Sequence, residues 1–571
     1  MKALARTLAD YDLDLIQIIA SQWEVKVLAT DRKTAAEELA EVIIDTDRAL
    51  ALWGSLSTED QDAMVDLQIN EGRIPYFHFT RRYGEIRPMG PARREREKPW
   101  LEPDNVTESL YYRGLIVRGF ENTPAGAQEY ILIPGDLLDL FPKPDAERVR
   151  PAPGHAVAPP RRLNSGHPIA PDDAATLLGY LRIRQPNARE WLSPIPVEGV
   201  DRHLRRHEIA YRAMLTQLLY DLNLIFDEEL LTQVATQVNR DSARPWLEAP
   251  RTHQVRSLVE AWVSSVAWNE LAFTHGLEAE TWPNDPRLAR QALLDALKNV
   301  PVEIWWSINS LVEHIKNNNP DFQRPGGDYS TWFLRDGYTG EVMHGFEYWD
   351  NIEGAVLRFM IEGPLAWMGM VRTGRGAFML TEAGMAMLER GDWPSQPDPT
   401  PSIRVDEQGV INVPVELSRF DRFQISRFAA WISAPPVRFG DRADDSTYQY
   451  RLTPQAIERS AADGITVDQH IIPFLQRLSG QNLPKNVAAM LSRWQEAPSE
   501  VIVEDVVIIR AKDLTVYERL HKNDRVTKWL GEPMGPQTHA VRRENLPALM
   551  NALRQMGLLP LFEGHEKDDW P

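Results

Sequence analysis

The residues in this sequence best suited to chemistry are arginines. Between Arg73 and Lys98 stand Arg73, Arg81, Arg82, Arg87, Arg93, Arg94, Arg96 and Lys98, against only Glu85, Glu95 and Glu97, a local charge of +5. Planar guanidinium forks match phosphate oxygens, and the interleaved Tyr76, Phe77, Phe79 and Tyr83 offer rings on which bases can stack. The segment reads as a DNA contact made by Arg81, Arg82, Arg87, Arg93, Arg94, Arg96 and Lys98, with a smaller version at Arg372 and Arg375. Four such arginines on duplex phosphates would give a log–log salt slope of about −3.6. The competing reading is an arginine-rich connector paired to acidic neighbours, and for Arg372 and Arg375 a solvated turn.

Other chemistries lack their residues. No glycine is followed by lysine, so the phosphate-cradling loop of a nucleotide-driven motor is absent. No serine has a glycine two positions before it, which removes the nucleophile elbow of the hydrolase fold. Gly374-Arg375-Gly376 begins a dinucleotide fingerprint, but Met379 stands where its third glycine belongs. His203 and His207 are four apart on an expected helix, yet Arg205 and Arg206 between them oppose a metal dication, and a solvated charged face is the stronger reading. Asp441, Asp444 and Asp445 read as solvated acids. With no cysteine, thiolate sites and disulfides are excluded. We therefore expect no catalytic residues, no metal and no cofactor.

The elements that must position the arginines follow from local signals. Thr34-Ala35-Ala36-Glu37 and Thr58-Glu59-Asp60-Gln61 read as capping boxes, and Asn105 starts a further helix. Leu115 to Phe120 and Glu129 to Ile133 read as strands joined through Asn122 to Gly126. Helices followed by a hairpin suggest a winged helix over 1–141. Eight of the thirty residues from Pro142 to Pro171 are proline, a linker over 142–171. Apolar spacing of three and four predicts an all-helical domain over 172–300, including Leu204 to Leu231. A second winged-helix-like domain, 301–392, has strands at Trp367 to Val371 and Ala377 to Leu380 around the turn Arg372 to Gly376. Trp305, Trp306 and Trp349 read as core. After the proline-rich Trp393 to Pro401, an α+β domain fills 402–571, with Val501 to Arg510 as a buried strand. The fold class is α+β, mainly helical and multidomain.

Length and charge bound the function. A chain of 571 residues holds about three to five domains. Lys and Arg number 63 against 82 Asp and Glu, a net charge of −19, so any nucleic-acid contact must be local. The N-terminus lacks the plan of a signal peptide and no apolar run is long enough to span a membrane, so a soluble cytoplasmic protein is expected.

Tyr450 to Ile457, Ala461, Gly464, Leu483 to Val487 and Ser492-Arg493-Trp494 resemble the N-terminal domain of XPB-type DNA repair helicases, as do Val507 to Arg510 and Leu546 to Met556. Arg87 to Trp100 and Tyr112 to Leu115 are similar to bacterial helicase-associated proteins that carry this domain, and Gly363 to Gly369 with Leu380 to Gly384 to their winged-helix portion. The resemblance implies a non-catalytic adaptor with a protein partner, a helicase, repair or transcription component, and a link to DNA. The motor itself is missing. The alternative is a scaffold whose winged helices contact only protein, because that fold serves both uses.

Overall fold

The computed structural model describes residues 3–123, 126–142, 152–164, 166–195, 197–229, 234–279, 282, 284–324, 327–395, 397–437, 446–496, 505–558 and 560. About 49% of the described residues are helical and 14% strand, so the fold is α+β and mainly helical. Two compact units divide it, Met1–Thr453 with Pro473–Pro484, and Pro454–Ile472 with Lys485–Pro571. Among the described residues no helix is long and apolar enough to cross a membrane.

The first unit opens on short helices that begin at side-chain caps. Asp12, Asp31, Asp45, Ser57 and Asn105 each accept an amide hydrogen from the first turn that follows, satisfying donors that no carbonyl can reach. Two caps therefore lie upstream of the expected Thr34 and Thr58, because Asp31 and Ser57 reach those first-turn amides instead. The helices enclose a core that includes Leu15, Ile16, Leu39, Leu67 and Phe79. Strands β1 (Arg73–Pro75), β2 (Val117–Thr123) and β3 (Gly126–Leu132) pair antiparallel in the order β1-β3-β2. The expected hairpin is present, though Pro124 and Ala125 of its turn lie outside the described residues.

A second core runs from Ala170 to Phe423 and holds Trp262, Leu293, Trp349 and Leu357 in one apolar cluster. The boundary expected at 300/301 falls inside it. Nor is 172–300 all-helical. The helix Ile209–Asp221 stops where Asn223 turns left-handed at φ 53°, a conformation asparagine tolerates at helix ends. A hairpin follows, β4 (Ile225–Glu229) with β5 (Val234–Val238), and β6 (Leu277–Glu278) enters a small sheet further on.

Strand β7 (Trp306–Ser307) precedes β8 (Leu334–Asp336) and β9 (Val342–Met343), which pair with β6 in the order β6-β8-β9. The second hairpin is β10 (Val371–Gly374) and β11 (Ala377–Leu380), with β11 also pairing β7. Strand starts at Val371 and not at Trp367, because helical backbone continues through Pro364 to Ala366 and Trp367. The turn tightens to Arg375 and Gly376, with Gly376 at φ 67°, where glycine carries no Cβ penalty. Trp305, Trp306 and Trp349 are all buried as expected.

The expected linker is a docked strap over 152–164. The Val157 amide donates to Trp305 O at 2.8 Å, Ser307 N donates to His155 O at 3.1 Å, and Trp306 Nε1 donates to Pro153 O at 2.8 Å. At its other end Asn164 N donates to Thr373 O at 2.9 Å, and Leu163 bridges Gly374. Main-chain groups and proline carbonyls make these contacts, which is why no side-chain period announces them. Residues 143–151 and 165 lie outside the described residues. The second proline-rich stretch is tied down by Asp398, which accepts from Arg251 N at 3.0 Å and is ion-paired to Arg419.

Strands β12 (Arg404–Val405), β13 (Val410–Pro414), β14 (Ala430–Ser433) and β15 (Thr447–Arg451) form an antiparallel sheet ordered β12-β13-β15-β14 in the first unit. The expected 402–571 domain is thus divided near Thr453. In the second unit β16 (Val506–Arg510), β17 (Pro533–Gly535) and β18 (Thr538–Arg542) are ordered β16-β18-β17. Strand β16 is an edge and not a buried strand, with Ile508 56% exposed; residues 501–504 lie outside the described residues. Leu520, Val526, Val541, Leu549 and Leu553 are this unit's core.

Charge is buried with the second core. Helix Ala170–Arg184 carries Asp172 and Asp173 in its first turn, both without solvent exposure. Arg251 clamps Asp172 at 2.8 and 2.9 Å. Burial alone would raise this carboxyl, but the guanidiniums of Arg251, Arg422 and Arg419 outweigh it and lower it to about 2. Asp173 is pushed up to about 6 by burial, against the opposing Arg205 amide at 2.9 Å and the Tyr211 hydroxyl at 3.0 Å. Because its folded value lies above its unfolded one, its stabilising contribution is complete below pH about 4 and lost as pH rises to about 6. Urea unfolding at pH 4.5 and 7.5 is expected to show the wild type losing, on the order of, 2 kcal/mol relative to Asp173→Asn over that interval.

Candidate nucleic-acid interface

The basic segment is carried by β1, the helix Tyr76–Tyr83 and the helix Pro91–Glu97. Its apolar residues turn inward, with Tyr76 and Phe79 buried in the first core, so these two rings pack the segment down and leave no stacking face.

The arginines are consumed one by one. Arg81 pairs with Asp321 at 3.0 Å and lies over the rings of Tyr329 and Phe346, 4.9 and 4.4 Å from their centroids, which fastens the first core to the second. Arg82 meets Asp66 at 2.6 Å. Arg87 grips Glu108 with Nε and Nη2 at 2.7 Å each and reaches Asp104 at 2.6 Å. Burial would raise Glu108, but the Arg87 fork and the amides of Arg87 and Asp104 hold it below the usual carboxylate range. Arg94, 7% exposed, places Nη2 at 2.7 Å from both oxygens of Asp12. Arg93 and Arg96 share Glu97 at 2.8 and 3.6 Å. Six of the seven expected DNA contacts in this segment thus already hold a carboxylate. Lys98, exposed and left-handed at φ 45°, has no such partner among the described residues. The paired-connector reading describes this segment.

The second hairpin differs. Arg372 lies within β10, half-buried and not in the turn, while Arg375 occupies the turn and is exposed. Leu163 bridges Gly374 antiparallel, so Arg162 of the strap falls opposite Arg375, with Arg161 beside it. The approach is tight, since a Cβ on Gly374 would lie 2.5 Å from Pro160 and 2.9 Å from Arg162 O. Arg161, Arg162 and Arg375 are all exposed, and none has a carboxylate partner among the described residues. Like charges held on neighbouring segments at the surface repel, and an anion bound beside them would relieve that repulsion. Sequence reasoning passed over Arg161 and Arg162 because they sit in a stretch without periodicity; only strand pairing brings them to the turn.

The histidine pair separates. The short helix Glu198–Asp201 ends before His203, and the next begins at Ile209. His203 packs between Tyr180 and Trp431, with centroids at 5.8 and 5.4 Å. Burial first, then Arg202 and Arg184, pushes it down to about 4. His207 Nδ1 lies 2.9 Å from Asp201 O. Asp441, Asp444 and Asp445 lie outside the described residues. Among the described residues no group of three His, Cys, Asp or Glu side chains is placed to hold a metal.

No family model matches this chain, and no curated protein does.

If the first segment's arginines are structural, their loss costs stability according to what they leave buried. Arg87→Ala strands the solvent-excluded Glu108 and is expected to cost about 3 kcal/mol. Lys98→Ala should stay within about 0.5 kcal/mol of wild type. Urea denaturation of the two variants checks the contrast.

Proposed function

We propose that this chain is a non-catalytic adaptor linked to DNA repair or transcription, in the manner of the helicase-associated proteins it resembles. It touches duplex DNA at the second hairpin and holds a protein partner. The observation that carries the DNA contact is the exposure of Arg161, Arg162 and Arg375, which the Leu163–Gly374 bridge brings to one turn. A duplex backbone offers negative charge at a spacing that two or three adjacent forks can meet.

The winged-helix reading is supported by a shared topology. In each of two sheets a short strand leads into helices and then a hairpin, and the last strand of the hairpin lies between the other two, β1-β3-β2 and β7-β11-β10. The second unit, where much of the resemblance to the XPB-type domain lies, is our candidate for the partner-binding half. The protein-only scaffold remains the rival reading, favoured by one specific observation, the pairing of Arg81 to Arg96 with the chain's own carboxylates.

Fluorescence anisotropy with a short labelled duplex separates the two. We expect binding whose log affinity falls with log salt at a slope of about −2.7 for three phosphate contacts. The triple variant Arg161→Ala, Arg162→Ala, Arg375→Ala should bind at least tenfold more weakly, while Arg82→Ala with Arg96→Ala should bind like wild type. Salt-insensitive or undetectable duplex binding by the wild type would leave the protein-only scaffold. Equal binding by the triple variant would overturn the site.

A further inference from the structure

The second unit holds a convergence of three side chains that the adaptor reading does not use. Helix Leu514–His521 starts at Asp513, whose carboxylate accepts from Val516 N at 2.9 Å. Tyr517 and His521 are four apart on this helix and so share a face. Strand β18 supplies His539, which is 7% exposed. The ring of Tyr517 stacks on that of His539 at 5.6 Å and 18°.

With His539 neutral, its hydrogen-bond arithmetic does not close. Its Nδ1 lies 2.8 Å from Gly531 O, and a carbonyl only accepts, so Nδ1 carries the hydrogen and the neutral ring presents a single lone pair at Nε2. Two groups converge on that lone pair, His521 Nε2 at 3.1 Å and Tyr517 Oη at 3.1 Å. Only one of them can donate to it in good geometry. A cation among the three removes the conflict, because each atom then turns a lone pair to a common centre. Two nitrogens on a tetrahedral zinc ion lie about 3.3 Å apart, close to the spacing found here. A ligating imidazole whose other nitrogen donates to a backbone carbonyl is also the usual outer-shell support of such a ligand.

We propose that Tyr517, His521 and His539 bind a divalent transition-metal ion of the zinc class, with solvent at the remaining position. Two imidazoles and one phenol oxygen suit zinc or copper and not the hard, oxygen-seeking magnesium or calcium. Tyr517 ligates as phenolate, its O–H bond breaking and the proton passing to solvent. The ion clips the end of helix Leu514–His521 to β18, independently of whether the chain binds DNA.

The full chain, stripped with a chelator, is titrated with ZnCl2 by calorimetry and its thermal unfolding followed with and without the ion. His521 is exposed, so His521→Ala leaves the fold in place, and Tyr517→Phe keeps the stacked ring while removing the oxygen. We expect one Zn2+ per wild-type chain and a raised unfolding temperature. At least tenfold weaker binding with no thermal shift is expected for His521→Ala, and an intermediate loss for Tyr517→Phe. Saturating Co2+ should give visible absorption bands that change in Tyr517→Phe. Absence of Zn2+ binding in the wild type, or the same affinity and thermal shift in His521→Ala, would overturn the proposal.

Discussion

The pairing of guanidinium with carboxylate inside one acidic chain is the constraint on which this structure rests. Seven arginines are buried among the described residues, Arg94, Arg205, Arg212, Arg290, Arg324, Arg419 and Arg422. Arg422 is held by Thr176, Tyr450 and the Asp172 carbonyl, whereas Arg290 shows the carboxylate-paired form. It binds both oxygens of Glu270 at 2.8 and 2.9 Å and donates to the carbonyls of Trp262, Ser265 and Trp268. A guanidinium with its donors engaged is tolerated in the interior, whereas one stripped of its carboxylate costs about 3–5 kcal/mol. With 82 acids to 63 bases, the chain has partners to spare.

That surplus explains why a local count misreads the segment from Arg73 to Lys98. A window of sequence tallies only the acids within it, Glu85, Glu95 and Glu97. The carboxylates that neutralise the segment come mostly from elsewhere: Asp12, Asp66, Asp104, Glu108 and Asp321. Charge patterning reports polyanion binding only when the remainder of the molecule is too poor in acid to intervene. Here the folded chain is itself the competing polyanion, and it holds its carboxylates at fixed short distances without losing translational freedom.

Features set by neighbouring residues could be read from the sequence, and those set by distant pairing could not. The cap at Asn105, the first hairpin and the strand Ala377–Leu380 stand close to where their residues place them, since each depends on a few adjacent backbone groups. The strap over 152–164 escaped because its proline carbonyls and scattered amides bond to Trp305, Trp306 and Thr373. The division at 300 failed for a related reason. Trp262 and Trp349 are both buried in one cluster, and apolar spacing along each helix says which face is buried but not against what.

The two clusters offered as sites are recognised by the same criterion, applied to opposite charges. At the second hairpin, the bridge from Leu163 to Gly374 brings the neighbouring Arg162 and Arg375 to the same turn, neither with a carboxylate partner among the described residues. In the second unit, the strand–helix packing sets two imidazoles and a phenol around one lone pair. Each arrangement brings like groups together, in a molecule that pairs most of its buried arginines with its own carboxylates. A fold so rich in compensating partners has the means to neutralise such clusters. Three cations without a carboxylate at a tight turn, and three ligand atoms converging, are the features on which we propose partners from outside the chain: a phosphate backbone in the first case, a metal ion in the second.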